Sequence, residues 1–121
     1  MSKHGNTPTA YLGEKFDSKA EKDRYLELLM LQKSGQLKNL RRQVVYELLP
    51  AAYGEQAVTY KADFVYETGG KTIVEDYKGF QTAAYKIKRK LFKQKYPDLV
   101  FSEVTKGEFT KYSQFRGRYD R

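Results

Sequence analysis

Apolar positions change period several times along this chain, and the changes mark out its elements. Tyr25, Leu28, Leu29 and Gln32 fall on one helical line, widened by Leu26, Met30 and Leu31. Ser18-Lys19-Ala20-Glu21 opens that helix with a capping-box pattern, and Gly35 stands where a helix end favours a left-handed residue. Val44–Leu49 then reads as a strand stopped by Pro50. From Val58 the chain alternates, with Val58, Tyr60, Ala62, Phe64 and Tyr66 on one face and Thr59, Lys61, Asp63 and Val65 on the other. Thr68-Gly69-Gly70-Lys71 supplies a hairpin turn, and Thr72–Lys78 returns as the partner strand.

Gly79 breaks that strand. Thr82 caps a second helix running to about Tyr96, with Ala84, Ile87 and Leu91 as its buried stripe and Phe92 beside them; Pro97 ends it. Leu99–Val104 is a short apolar strand. The order α-β-β-β-α-β predicts a mixed α/β layer fold, a β-sheet flanked by helices. Residues 1–15 are polar, carry Gly5, Pro8 and Gly13 and show no period, so they read as a flexible arm. Residues 16–104 form the core domain, and residues 105–121 are a basic, aromatic extension without a clear period.

Composition narrows the chemistry. A chain of 121 residues, 40% hydrophobic, suits one domain with a modest core. There is no Cys, and the single His is His4 in the polar leader, so catalysis has to come from Asp, Glu and Lys. No apolar run approaches the roughly 20 residues of a bilayer span, and no apolar signal core opens the chain. A soluble cytoplasmic protein with no membrane partner is the expectation. The formal net charge of +8 points to nucleic acid first and an anionic membrane surface second.

Asp63 and Asp76 fall on strands expected to be antiparallel neighbours, and Lys78 lies one pleat beyond Asp76. Two carboxylates and an ammonium on one face suit a divalent-metal site that hydrolyses a phosphodiester. Mg²⁺ takes oxygen ligands and usually only one or two carboxylates, which Asp63 and Asp76 supply; the Tyr77 carbonyl could add a neutral oxygen. Lys78 could hold the attacking water or stabilise the charged phosphate. Without a cation, two carboxylates about 4 Å apart would repel by roughly 4 kcal/mol at an effective dielectric near 20. The plain alternative is an exposed cross-strand charge ladder. Glu21 has its own alternative, as the partner of Ser18 in the capping box, worth about 1 kcal/mol.

Three runs, Phe16-Asp17-Ser18-Lys19-Ala20-Glu21, Tyr60-Lys61-Ala62-Asp63-Phe64 and Val74-Glu75-Asp76-Tyr77-Lys78-Gly79, resemble the PD-(D/E)XK nuclease superfamily. The likeness is to a small phage-encoded branch and to minimal Holliday junction resolvases. It covers about Phe16 to Val104 and extends to Leu40-Arg41-Arg42-Gln43 and the basic helix. The resemblance implies a restriction-endonuclease-like core with Mg²⁺ or Mn²⁺ on Asp63 and Asp76 and Lys78 as the catalytic lysine. It implies Glu21 as a further acidic ligand or water-orienting residue, and products with 5′-phosphate and 3′-hydroxyl ends. Ala62 stands where the superfamily motif carries proline. Glu75 adjoins Asp76, but alternation sets it opposite Lys78, which favours Asp76.

Between Asp76 and Asp98 there is no acid, while Lys78, Lys86, Lys88, Arg89, Lys90, Lys93 and Lys95 supply seven positive charges. Like charges four apart cost helix stability, which suits an anionic partner better than a merely solvated face. Lys86, Lys88, Arg89, Lys90 and Lys93, with Arg41, Arg42 and Gln43, are the candidate DNA contacts. About six neutralised phosphates would give a salt slope near 0.9 per contact. The tail mixes Lys111, Arg116, Arg118 and Arg121 with Phe109, Tyr112, Phe115 and Tyr119, which fits either DNA stacking or packing on the sheet.

The expected function is therefore a Mg²⁺-dependent endonuclease for branched DNA, above all the four-way junction, working as a homodimer in the cytoplasm of a bacterial host. Rival readings are a flap, single-strand or transposition-type nuclease, a non-catalytic nucleic-acid-binding module, and a basic scaffold for an acidic protein.

Overall fold

The computed structural model describes residues 9–11, 14–16, 18–77 and 81–104. Its elements are β1 (Thr9–Tyr11), β2 (Glu14–Phe16), α1 (Lys19–Lys33), β3 (Lys38–Leu49), β4 (Val58–Thr68), β5 (Lys71–Tyr77), α2 (Ala83–Lys95) and β6 (Val100–Val104). From α1 onward the order is α-β-β-β-α-β, as the periodicity predicts. The stretch read as an arm contains the antiparallel β1–β2 pair. Phe16 ties this pair to α1: it is buried, and its ring lies 5.4 Å from that of Tyr25.

β3, β4, β5 and β6 form one mixed sheet in that order, antiparallel except for the parallel β5–β6 pair joined through α2. The β4–β5 turn uses Gly69 and Gly70 at φ 59° and 76°, a conformation glycine adopts without a Cβ clash. Both helix starts are capped as expected: Ser18 Oγ accepts from Glu21 N at 3.2 Å, and Thr82 Oγ1 accepts from Tyr85 N at 3.0 Å.

The helices cover opposite faces. Leu28 and Leu37 pack with Phe64, Tyr66, Ile73 and Val104 on the α1 side. Tyr85 and Phe92 pack with Leu48, Tyr60, Ala62, Val65 and Val74 on the α2 side. These memberships correct the expected alternation of β4: Tyr60 and Ala62 face α2, whereas Phe64 and Tyr66 face α1. The strand therefore changes face at Asp63. β3 does the same at Gln43: Arg42 stacks on Phe16 on the α1 side, while Val44 and Tyr46 pack on the α2 side. Gln43 has φ 56°, the left-handed kink that such a switch needs.

Two further expectations are corrected. β3 begins at Lys38 rather than Val44, so Arg41, Arg42 and Gln43 are strand residues. On α2 the buried positions are Tyr85 and Phe92; Ala84 is exposed and Ile87 is 61% exposed. Aromatic rings outcompete smaller aliphatics for the sheet because each buries more apolar area. Phe92 shows this, meeting Tyr46, Tyr60 and Phe101 with centroids 5.1, 5.7 and 5.3 Å away.

Candidate functional site

The face switch brings several predicted residues together. The register pairs Arg42↔Phe64 and Val44↔Ala62 bracket Gln43 and Asp63, setting those two opposite each other. On the other side of β4, ladder pairing with β5 ends at Phe64↔Glu75, one step short of Asp63 and Asp76. The strands part there. Asp63 Oδ2 instead accepts the Tyr77 peptide N–H at 2.8 Å, satisfying a donor the ladder no longer serves. Asp76 is buried, and its Oδ1 accepts from Tyr60 Oη at 2.7 Å.

Glu21 joins from α1. It is 4% exposed, and its Oε2 accepts from Gln43 Nε2 at 3.2 Å. Its backbone N–H meets Ser18 Oγ, so the residue takes part in the cap while its carboxylate reaches the switch point. Among the described residues no three Asp, Glu or His side chains form one cluster. Glu21 reaches this end of the sheet through Gln43, whose backbone position lies opposite Asp63.

Glu75 follows a different logic. It is fully buried on the α1 side and receives Arg24 through two bonds, Nε–Oε2 at 2.6 Å and Nη2–Oε1 at 2.8 Å, plus Tyr66 Oη at 2.7 Å. Burial works against the Arg24 charge, but the bonds and charge of Glu75 outweigh it and hold Arg24 protonated. An acid with its own buried guanidinium is a structural ion pair, which supports Asp76 over Glu75 as the site's second acid. Burial, with the nearby Asp76 charge, pushes the Tyr60 hydroxyl well above its usual range, so Tyr60 is a permanent donor to Asp76.

By donor chemistry, though not by a cluster among the described residues, the two aspartates suit a hard divalent cation. Two carboxylates at the parting of β4 and β5, beside the Tyr77 peptide, give oxygen ligands of the number Mg²⁺ accepts. Lys78 lies outside the described residues, as does the 105–121 extension.

The candidate DNA contacts divide. Lys86, Lys90 and Lys93 are exposed on α2 and Lys88 is half-buried. Arg89 is engaged, its Nη1 2.8 Å from Glu103. Arg41 is exposed, Arg42 stands 4.0 Å over the Phe16 ring, and Gln43 serves Glu21. A pocket of about 500 Å³ between Gly35–Lys38 and Glu67–Thr72 contains none of these residues. Among the described residues no helix is long and apolar enough to cross a membrane.

Sequence reasoning did not single out Arg24 or Tyr60. Arg24 had a signal: it lies three residues after Glu21 and four before Leu28, on the line that the helix buries. Tyr60 had none beyond its place three residues before Asp63. No curated protein and no solved structure matches the chain. One family model does match, over residues 1–114, and the chain belongs to that family, described as protein of unknown function (DUF1064).

Proposed function

We propose that this protein is a Mg²⁺- or Mn²⁺-dependent endodeoxyribonuclease of the PD-(D/E)XK type, cutting branched DNA and above all the four-way junction. The observation that carries the reading is the pair of oriented aspartates where β5 leaves β4, Asp63 taking the Tyr77 N–H and Asp76 the Tyr60 hydroxyl, with Gln43 set opposite Asp63 and bonded to Glu21. Asp63 and Asp76 would hold the cation. The chemistry a divalent ion supplies at such a site is activation of water and relief of the charge gathering on the phosphate.

The chain's own groups hold that arrangement in place. The Tyr77 N–H orients Asp63, Tyr60 Oη orients Asp76, and the Gln43 amide orients Glu21. Each of these donors is neutral, so each bond positions a carboxylate by geometry rather than by opposite charge. Lys78, two positions after Asp76, is assigned the water or the developing charge of the phosphate. The exposed lysines of α2 bind the phosphate backbone and supply the salt dependence. Two copies related by a two-fold axis give the paired cuts a junction requires, in the cytoplasm of a phage-bearing host.

The test is cleavage of labelled four-way junction, flap, single strand and linear duplex in Mg²⁺, Ca²⁺ or EDTA. Symmetric Mg²⁺-dependent nicks across the junction are expected. Asp63→Asn, Asp76→Asn and Lys78→Ala should each lower cutting about a hundredfold or more while binding in Ca²⁺ persists. Binding without cutting in any metal would replace the enzyme with a non-catalytic module, and flap-only cutting would change the substrate.

A further inference from the structure

The β3–β4 hairpin runs on past the switch point into an exposed arm, with Pro50–Gln56 all at the surface. Ala52 and Glu55 close its tip with a reciprocal pair of backbone bonds, Ala52 N to Glu55 O at 3.1 Å and Glu55 N to Ala52 O at 2.9 Å. Tyr53 and Gly54 are the two loop residues, with φ 56° and 76°. Positive φ at both positions is the signature of a type I′ turn, which favours Asn-Gly, Asp-Gly or Gly-Gly. The β4–β5 turn of the same sheet obeys that preference with Gly69-Gly70 at φ 59° and 76°. The arm instead puts a bulky aromatic in the left-handed region, where it is strained.

That ring contributes nothing to folding: Tyr53 is 100% exposed. A residue that opposes its turn and packs on none of the described residues is placed for a contact beyond them. The surroundings indicate which. The arm leaves the sheet beside the basic end of α2, where Tyr96 Oη donates to the Glu47 carbonyl at 2.8 Å and Lys95 Nζ lies 3.6 Å from Glu47. Its base carries Gln43 and Asp63. A strand from Gln43 to Leu49 spans about 20 Å, so the tip stands several nucleotides from the acids. The arm's own carboxylates are Glu55 at the tip and Glu47, paired with Lys95, so the ring and not local charge makes the contact. On a protein of net charge +8 that ring suits a nucleobase that has left the helical stack.

We propose that Tyr53 is a base-stacking contact that selects DNA with unstacked bases, at branch points or in single strands, over continuous duplex. This rests on the nuclease reading only in requiring DNA as the partner. The test uses the full chain in Ca²⁺ and compares affinity for a four-way junction, a single strand and a continuous duplex. Tyr53→Asn suits the turn, so its melting temperature should equal or exceed that of the parent. It should weaken junction and single-strand binding roughly tenfold while leaving duplex binding within about twofold. Tyr53→Phe keeps the ring and should bind like the parent. Unchanged junction affinity in Tyr53→Asn, or equal losses on all three DNAs, overturns the inference and leaves the nuclease reading standing. A parent protein that binds no DNA overturns both.

Discussion

Glu75 and Asp76 are neighbours on β5, yet they face opposite sides of the sheet and meet opposite chemistry. On the α1 side Glu75 is enclosed with Arg24, and the pair excludes water with charge balanced inside the fold. At the switch point Asp76 takes a phenol hydroxyl, Asp63 a peptide N–H and Glu21 a carboxamide. The first arrangement pairs a carboxylate with a buried cation; the bonds named in the second come from neutral donors. On the proposed function one strand carries a structural acid and a chemical one, told apart by the partners on each face rather than by residue type.

The largest expected effect tests the structural half. Glu75→Gln keeps the shape but leaves buried Arg24 with only the partly exposed Glu27, 3.2 Å away, as counter-charge, which should cost about 3 kcal/mol in urea unfolding. A double Arg24→Met, Glu75→Met variant removes both charges and should recover most of that loss. It should also still cut DNA. If Glu75→Gln is stable but inactive, the two acids have exchanged roles and the comparison inverts.

Glu21 stands between the two regimes, because its backbone belongs to the helix cap and its carboxylate to the switch point. Ser18→Ala removes the cap acceptor and should cost about 1 kcal/mol of stability with little change in cutting. Glu21→Gln keeps an acceptor for the Gln43 amide, so it should fold nearly as well while cleavage falls. A stability loss with normal turnover would return Glu21 to capping alone.

Much of this architecture was legible in the chain. Capping serines and threonines, paired glycines and the two periods are local signals, and they located α1, α2, the β4–β5 hairpin and the antiparallel placement of Asp63 and Asp76. The face switch was not legible. Alternation across Tyr60–Tyr66 is unbroken in sequence, and the inversion at Asp63 follows from two helices competing for the two faces. The same competition rotated α2 so that Tyr85 and Phe92 displaced Ile87. The role of Gln43 was hidden likewise, since its kink arises from tertiary pairing and its partner lies 22 positions away. Arg24 was the more readable omission: a buried-line arginine and an acid inside the apolar run Ile73-Val74-Glu75 each need a partner, and each is the other's.

Glu103 gives the smallest and most discriminating check. It sits beside Asp76 in the parallel β5–β6 register, on the α2 side, but like Glu75 it has a cation. Tyr85 Oη and Arg89 Nη1 both donate to its Oε2. Partial burial works to raise its pKa, yet those bonds and the Arg89 charge prevail and the carboxyl is held below its usual value. Stability from this contact is therefore fully present above the unfolded value near 4.3 and is lost as pH falls through the lower folded value. Glu103→Gln should lower the melting temperature slightly at neutral pH, with the gap to the parent closing on acidification. Because Arg89 already balances it, the same change should leave Mg²⁺-dependent cutting intact where Asp76→Asn abolishes it. Equal loss of cutting in both variants would mean that a cationic partner does not separate structural from chemical acids on this sheet.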